Sequence, residues 1–366
     1  MSYPDEKDSA EPHDVQKAFV VGCARSGTTL LATLLGQHTA VASTPETHFV
    51  CRVRQMKAWN DFRLACDLAD EGSKNLEKAV DVLFDSTYLA DLQISRKALI
   101  ERFQSLRSHT KKPSECIDQI FFTAILNQFA AERRKTVCVE KTPAHLFHVD
   151  ELLGWFPESQ VICIYRDGRD SVNSLMKLEH ALRSPLKYTT DWNRCASTML
   201  RLRLEHPKRF MTVRYEDLLT HPDATMSNVH GRLNLSPMLP QSDALIETRV
   251  ETVPEWEKNW KMKATQPLDA TRCFAWKREL SDQEASWLTA LMADSLQRLD
   301  YPSCAPPPSR RQIALATMTN AYSRVLFSRK LQRIRSKTRY VLEHCRLWPG
   351  THRYRGQHKA KRSALD

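Results

Sequence analysis

Residues 22–29 read Gly-Cys-Ala-Arg-Ser-Gly-Thr-Thr, between the apolar run Lys-Ala-Phe-Val-Val-Gly at 17–22 and the leucine-rich stretch that follows. A loop of this kind between a strand and a helix turns several backbone N–H groups and the positive helix end toward one point, which is how a phosphate is held. Arg25 supplies a cation, Ser26 and Gly27 lie in the loop, and Thr28 and Thr29 add hydroxyl donors. The spacing from Gly22 to Gly27 is that of the nucleotide-triphosphatase loop G-x-x-x-x-G-K-[ST], but Thr28 stands at the lysine position. That lysine reaches the β- and γ-phosphates beside a bound Mg²⁺. Its loss predicts a ligand with one phosphate at this spot and no metal requirement.

The segment Gly-Cys-Ala-Arg-Ser-Gly-Thr-Thr-Leu-Leu resembles the 5′-phosphosulfate loop of the sulfotransferase superfamily. With Arg25 in place of the lysine usual in the cytosolic steroid and phenol enzymes, it is most similar to the tyrosylprotein and bacterial-type members. A second segment, Gln-Val-Ile-Cys-Ile-Tyr-Arg-Asp-Gly-Arg-Asp-Ser-Val-Asn-Ser at 160–174, resembles the family's 3′-phosphate motif. The resemblance implies that Arg166 and Ser174 grip that phosphate, the first with a planar fork and the second with a hydroxyl. Arg169 is expected to pair with Asp167 or Asp170. Val-Arg-Tyr-Glu-Asp at 213–217 resembles a third family segment and implies that Tyr215 lies near an adenine. Ala-Thr-Arg-Cys-Phe-Ala-Trp-Lys at 270–277 is similar to the last nucleotide segment, without its usual glycine and arginine before the Trp. Arg272 and Lys277 are the cations left to serve there.

The resemblance implies sulfuryl transfer from 3′-phosphoadenosine 5′-phosphosulfate to a hydroxyl or amine of a carbohydrate, a peptide tyrosine or a small molecule, without a metal. Such a transfer removes a proton from the acceptor and neutralises charge on the leaving phosphate. Arg25 is expected beside the bridging oxygen. Lys141, in Val-Glu-Lys-Thr-Pro, matches a catalytic lysine of related enzymes; at a strand end it could equally pair with Glu140. Cytosolic members place a base two residues after this lysine, but Pro143 is there. Ser-Thr-Pro-Glu-Thr-His at 43–48 resembles the segment carrying the base in tyrosylprotein-type enzymes. Glu46 is therefore the expected base, its pKa raised by partial desolvation, with His48 and His145 as alternatives. A P-loop kinase, or a nucleotide-binding module without catalysis, are the competing functions. Thr28 and the 3′-phosphate motif oppose the first, and Arg25, Glu46 and Lys141 the second.

Elements must exist to hold these groups. Apolar, β-branched runs at 17–22, 136–140, 160–165 and 210–215 predict strands, alternating with helical stretches after 28, around 148–157 and 171–183. That alternation predicts an α/β, three-layer P-loop fold: a central, mostly parallel sheet with helices on both faces. Residues 51–130 read as a helical, acceptor-side insertion. Residues 1–15 are acidic, polar and predicted disordered, 16–304 form the sulfotransferase domain, and prolines 302 and 306–308 mark its end. From Ala305 to Asp366 there are 15 Lys and Arg against two acids, a net +13, whereas the whole chain carries +11 and residues 1–304 therefore about −2. The basicity belongs to a helical and partly disordered tail. It does not describe the domain, so nucleic acid is not an expected partner. Arg329, Lys330, Arg333 and Lys337 with apolar residues between them suit an anionic membrane surface or an acidic partner. Ten scattered Cys without C-x-x-C spacing read as reduced thiols. No signal peptide or membrane span is evident, so the expected location is cytoplasmic.

Overall fold

The computed structural model describes residues 15–68, 74–111, 116–177, 185–236, 268–303, 309–315 and 317–318. The acidic N-terminal stretch and the tail cations Arg329, Lys330, Arg333 and Lys337 lie outside the described residues.

Five strands form one sheet: β1 (Gln16–Gly22), β2 (Val41–Ser43), β3 (Val137–Lys141), β4 (Gln160–Tyr165) and β5 (Phe210–Arg214). Their order is β2-β3-β1-β4-β5 and every pairing is parallel. Side chains alternate between faces along each strand. Phe19, Val21, Cys138, Val161 and Cys163 enter one core, and Ala18, Val20, Val139, Ile162 and Ile164 the other. Burial on both faces is why these strands read as near-continuous apolar runs.

On the second face lie α1 (Thr28–Gly36), α9 (Tyr215–Thr220) and α10 (Pro222–Arg232). The first face is covered by α5 (Ile117–Glu132), α6 (Val149–Trp155), α7 (Gly168–Met176), α8 (Pro185–Glu205) and α12 (Asp282–Arg298). A single turn, α11 (Trp276–Glu279), precedes α12, which starts on a Ser281–Glu284 capping box.

Between β2 and β3, α2 (Lys57–Leu68), α3 (Lys74–Ser86) and α4 (Arg96–Ser108) lead into α5. Its core is aromatic. Trp59 stacks on Phe62 at 5.0 Å, and Phe49 lies on Phe122 at 4.6 Å. Phe49 thereby fastens the segment that follows β2 to the body of the domain.

β2 is the strand that the sequence did not disclose. Three residues are too few for a periodic signal, and only pairing with β3 defines it. The sheet order runs outward from β1 to β3 and β2 on one side and to β4 and β5 on the other. In an open α/β sheet this places a crevice at the carboxyl ends of the central strands.

Candidate active site

Gly22 closes β1 beside Ile164, and Arg25 (φ 66°) and Gly27 (φ 95°) both adopt positive φ in the loop that follows. Gly27 is needed there for a second reason: a Cβ at this position would stand 2.5 Å from the Tyr215 ring. α1 begins at Thr28 without a side-chain cap, and the first amides of a helix have no partner within it. The Ser26 hydroxyl is buried and has no hydrogen-bond partner. Such an orphaned donor in a loop facing a crevice suits an anion.

Arg25 reaches α7. Its Nε donates to Ser174 Oγ at 3.2 Å, joining the two phosphate motifs across 149 residues. Burial, with the charges of Arg166 and Arg272 nearby, lowers the Arg25 pKa. Arg166 faces the Asp170 carboxylate at 3.2 Å and Arg272 the Asp269 carboxylate at 3.6 Å, so the cluster is partly neutralised. Arg166 follows β4 and lies 4.6 Å from the Tyr215 ring centroid, while one of its terminal nitrogens donates to the Arg272 carbonyl at 2.7 Å. Its Nε is buried and unpartnered. Tyr215 is buried at the start of α9, with one face on Gly27. Lys277 is exposed and its ammonium lies against the Phe274 and Trp276 rings, at 5.2 and 5.8 Å from their centroids.

Behind Arg166 stands a buried charged network. Arg169 forks onto Asp167 at 3.0 and 2.7 Å, stacks 3.9 Å from the Trp276 ring and donates to the Pro302 carbonyl. The expected pairing with Asp167 is present and the residue is structural. Asp167 also accepts from the Trp276 indole, and Asp170 accepts the Trp276 amide at 2.7 Å while facing Arg166 at 3.2 Å. Burial pushes the Asp170 pKa up, against the pull of Arg166. Trp276 thus ties the last segment of the domain to the helix carrying Ser174. Its role was not legible, because the glycine and arginine that normally mark this segment are missing.

A second centre forms between β2 and β3. Lys141 is the last residue of β3, in register with Val20 of β1, and is almost fully buried. Its Nζ lies 2.9 Å from Glu46 Oε1, so the pairing with Glu140 does not form. Neighbours on a strand face opposite ways. Glu140 turns into the first core, where its Oε1 accepts the hydroxyls of Thr47 (2.7 Å) and Thr142 (2.6 Å) and Oε2 meets His145 Nδ1 at 2.9 Å. Burial alone would raise the Glu140 pKa, but His145 and the Thr142 and Thr47 hydroxyls outweigh it and hold the carboxyl below its ordinary value.

His145 is fully buried. The Glu140 carboxylate, against the effect of burial, pushes the His145 pKa up to about 9, and the Val50 N–H faces Nε2 at 3.2 Å. Of the two alternative bases, only His48 reaches Glu46, with Nε2 3.2 Å from Oε2. Glu46 is therefore held between an ammonium and an imidazole.

A model of the sulfotransferase family matches residues 17–238. Protein-tyrosine sulfotransferase 1 of Danio rerio is 27% identical over 239 residues, covering 64% of this chain and 56% of that protein. The omega-hydroxy-beta-dihydromenaquinone-9 sulfotransferase of Mycobacterium bovis is 27% identical over 244 residues, covering 59% of this chain and 62% of its own length. The chain thus spans less than two thirds of either relative. Among solved structures, the sulfotransferase domain from the Synechococcus PCC 7002 olefin synthase aligns with a TM-score of 0.49 at 18% identity, over 82% of this chain and 98% of that domain.

Proposed function

The chain belongs to the sulfotransferase family, and we propose on that premise that it moves a sulfuryl group from 3′-phosphoadenosine 5′-phosphosulfate to an acceptor hydroxyl. The observation that carries this is the contact between Arg25 and Ser174, which joins a one-phosphate loop to a second, arginine-rich phosphate site in one crevice. Two separate phosphate sites suit a nucleotide phosphorylated at its 5′ and 3′ positions. The unpartnered Ser26 hydroxyl and Arg166 Nε are donors left for those phosphates. The donor, when bound, supplies the activated sulfuryl group.

In this scheme the loop amides with Ser26, Gly27, Thr28 and Thr29 hold the 5′-phosphate. Arg166 and Ser174 take the 3′-phosphate with Arg272 beside them, and Tyr215 gives the adenine a face. Lys277 has no described contact with that cluster and is assigned only peripheral charge. Glu46 accepts the proton of the acceptor hydroxyl, whose oxygen then bonds to sulfur. Lys141 neutralises the phosphate oxygen that leaves, a task worth roughly 3–4 kcal/mol for one well-placed donor. Arg25 joins it on release from Ser174. One similar protein is named for tyrosine and another for an omega-hydroxy dihydromenaquinone, which favours a hydroxyl acceptor over an amine.

Thermal-shift titration tests the proposal. Adenosine 3′,5′-bisphosphate should raise the melting temperature without Mg²⁺, since a ligand that binds only the native state stabilises it by mass action. Arg166→Ala should abolish the shift. Lys141→Ala should keep it while turnover falls about 10²–10³-fold. Stabilisation by Mg-ATP alone would overturn the proposal in favour of a kinase, and bisphosphate binding with no sulfuryl transfer from the donor would favour a module without catalysis; unchanged turnover in Lys141→Ala would remove Lys141 from the mechanism.

A further inference from the structure

Cys51 follows the turn that carries Glu46 and His48, and its sulfur lies between two imidazoles. His48 Nδ1 stands 3.7 Å from Sγ, and the thiol also hydrogen-bonds to the ring of His145. Each ring is held from its far side by a carboxylate. His48 Nε2 lies 3.2 Å from Glu46 Oε2, and His145 Nδ1 lies 2.9 Å from Glu140 Oε2. Two Cys–His–Glu relays thus converge on one sulfur. A nucleophile within reach of a base, whose ring a third group orients, is the arrangement that activates a thiol. The sulfuryl transfer proposed above makes no use of Cys51.

We propose that Cys51 is a nucleophilic modification site, a thiolate paired with imidazolium that reduces a small hydroperoxide and becomes a sulfenic acid. The thiolate sulfur gives an electron pair to the terminal peroxide oxygen and the O–O bond breaks. The departing oxygen takes a proton from an imidazolium and leaves as water or an alcohol. Sulfur is oxidised by two electrons and the hydroperoxide is reduced by two, so no further co-reactant is required.

The surroundings of the sulfur fit this chemistry. Cys51 is partly exposed, whereas Cys23, Cys66, Cys138, Cys163 and Cys195 are buried. Reactive thiols sit in partly exposed, electropositive places and structural ones do not. The thiol can donate to the His48 carbonyl at 3.6 Å, but that oxygen already accepts the amides of Arg52 and Val53 at 2.9 and 3.1 Å. Loss of the thiol proton therefore strands no backbone group. The His48 ring is fixed, since its own N–H donates to Thr142 Oγ1 at 3.2 Å and the ring packs 4.3 Å from Tyr88. His48 and His145 face the sulfur, with Glu46 and Glu140 behind them and Lys141 beyond Glu46; Arg52, next in the chain, turns its side chain to Tyr88. Burial alone would raise the Cys51 pKa, but His145 and His48 outweigh it and bring it down to about 7. Burial instead pushes Cys66 and Cys138 up to about 12 and Cys273 up to about 11.

The test uses the reduced full chain with hydrogen peroxide, dimedone to trap sulfenic acid, and iodoacetamide, all read by peptide mass. Alkylation of Cys51 should be half-maximal near pH 7. At that pH it should run at least about tenfold faster than alkylation of Cys273, because the larger thiolate fraction outweighs the lower intrinsic nucleophilicity. In guanidinium chloride the midpoint should move up to the ordinary thiol value of about 8.5, since the cluster exists only in the fold. Dimedone should label the Cys51 peptide after peroxide and not before. Coincident native and unfolded midpoints, or alkylation of Cys51 no faster than of Cys273, would overturn the proposal, as would peroxide-treated protein without a dimedone adduct at Cys51. None of these readouts involves a sulfuryl donor or acceptor, so failure of the sulfuryl-transfer reading leaves them intact.

Discussion

Glu140 is the residue whose type looked plain in the sequence and whose work did not. Beside Lys141 it reads as a salt-bridge partner, but strand alternation turns it away and gives it Thr47, 93 positions earlier, as well as Thr142 and His145. Arg25, Ser174, Glu46 and Lys141 could be singled out as candidates because each stands in a short local pattern. Partners supplied by distant segments could not, since nothing local encodes them. Glu140→Gln should cost about 2–4 kcal/mol at neutral pH, because an amide cannot accept from all these donors at once. The pH dependence has a fixed sign. The folded-state pKa lies below the unfolded value near 4.5, so the carboxylate's contribution is complete above that value and is lost as pH falls toward the folded pKa. Urea denaturation of both proteins should give a gap that is widest at pH 7 and narrows in acid. A gap that widened in acid would contradict the assignment.

At the scale of elements, the loop between β1 and α1 is a backbone device. It depends on Gly27 at φ 95°, with the Tyr215 ring against its missing side chain. The sequence disclosed the strand, the turn and the helix together, because apolar run, glycines and leucines follow in order. It did not disclose that Tyr215, 188 positions later in the chain, would pack on the loop, nor that β2 exists to bring Glu46 to the sheet edge. Gly27→Ala meets both constraints at once. The methyl group either displaces the ring or forces the loop from its conformation, at a cost of roughly 1–3 kcal/mol. Because Tyr215 also faces Arg166 at 4.6 Å, the disturbance reaches both phosphate sites. Calorimetric titration with adenosine 3′,5′-bisphosphate should show affinity reduced at least about tenfold, the equivalent of 1.4 kcal/mol. Binding at wild-type strength would mean that the loop amides do not contact the ligand.

For the whole molecule the main asymmetry is electrical. The pI of about 9.2 belongs to the segment after 304, and the residues that build the crevice belong to a part whose charges sum to about −2. That division was legible from composition alone, since charge counting needs no structure. Where the tail begins, Ser309 starts a helical turn whose Gln312 touches Ser286 of α12, and Ile313, Leu315 and Met318 are exposed. No helix among the described residues is long and apolar enough to cross a membrane. The proposed function assigns nucleotide binding to the sheet edge, and the charge of the tail sequence predicts attraction to anionic surfaces. A chain ending at 303 should bind adenosine 3′,5′-bisphosphate as the full chain does, because Arg25, Arg166, Ser174, Tyr215 and Arg272 all remain. The same truncation should abolish sedimentation with vesicles containing anionic lipid, and in the full chain that sedimentation should weaken as salt rises, as screening over a Debye length of about 8 Å requires. Lost bisphosphate binding in the truncated chain would instead make the tail part of the nucleotide site, and the charge asymmetry would then serve the donor rather than a surface.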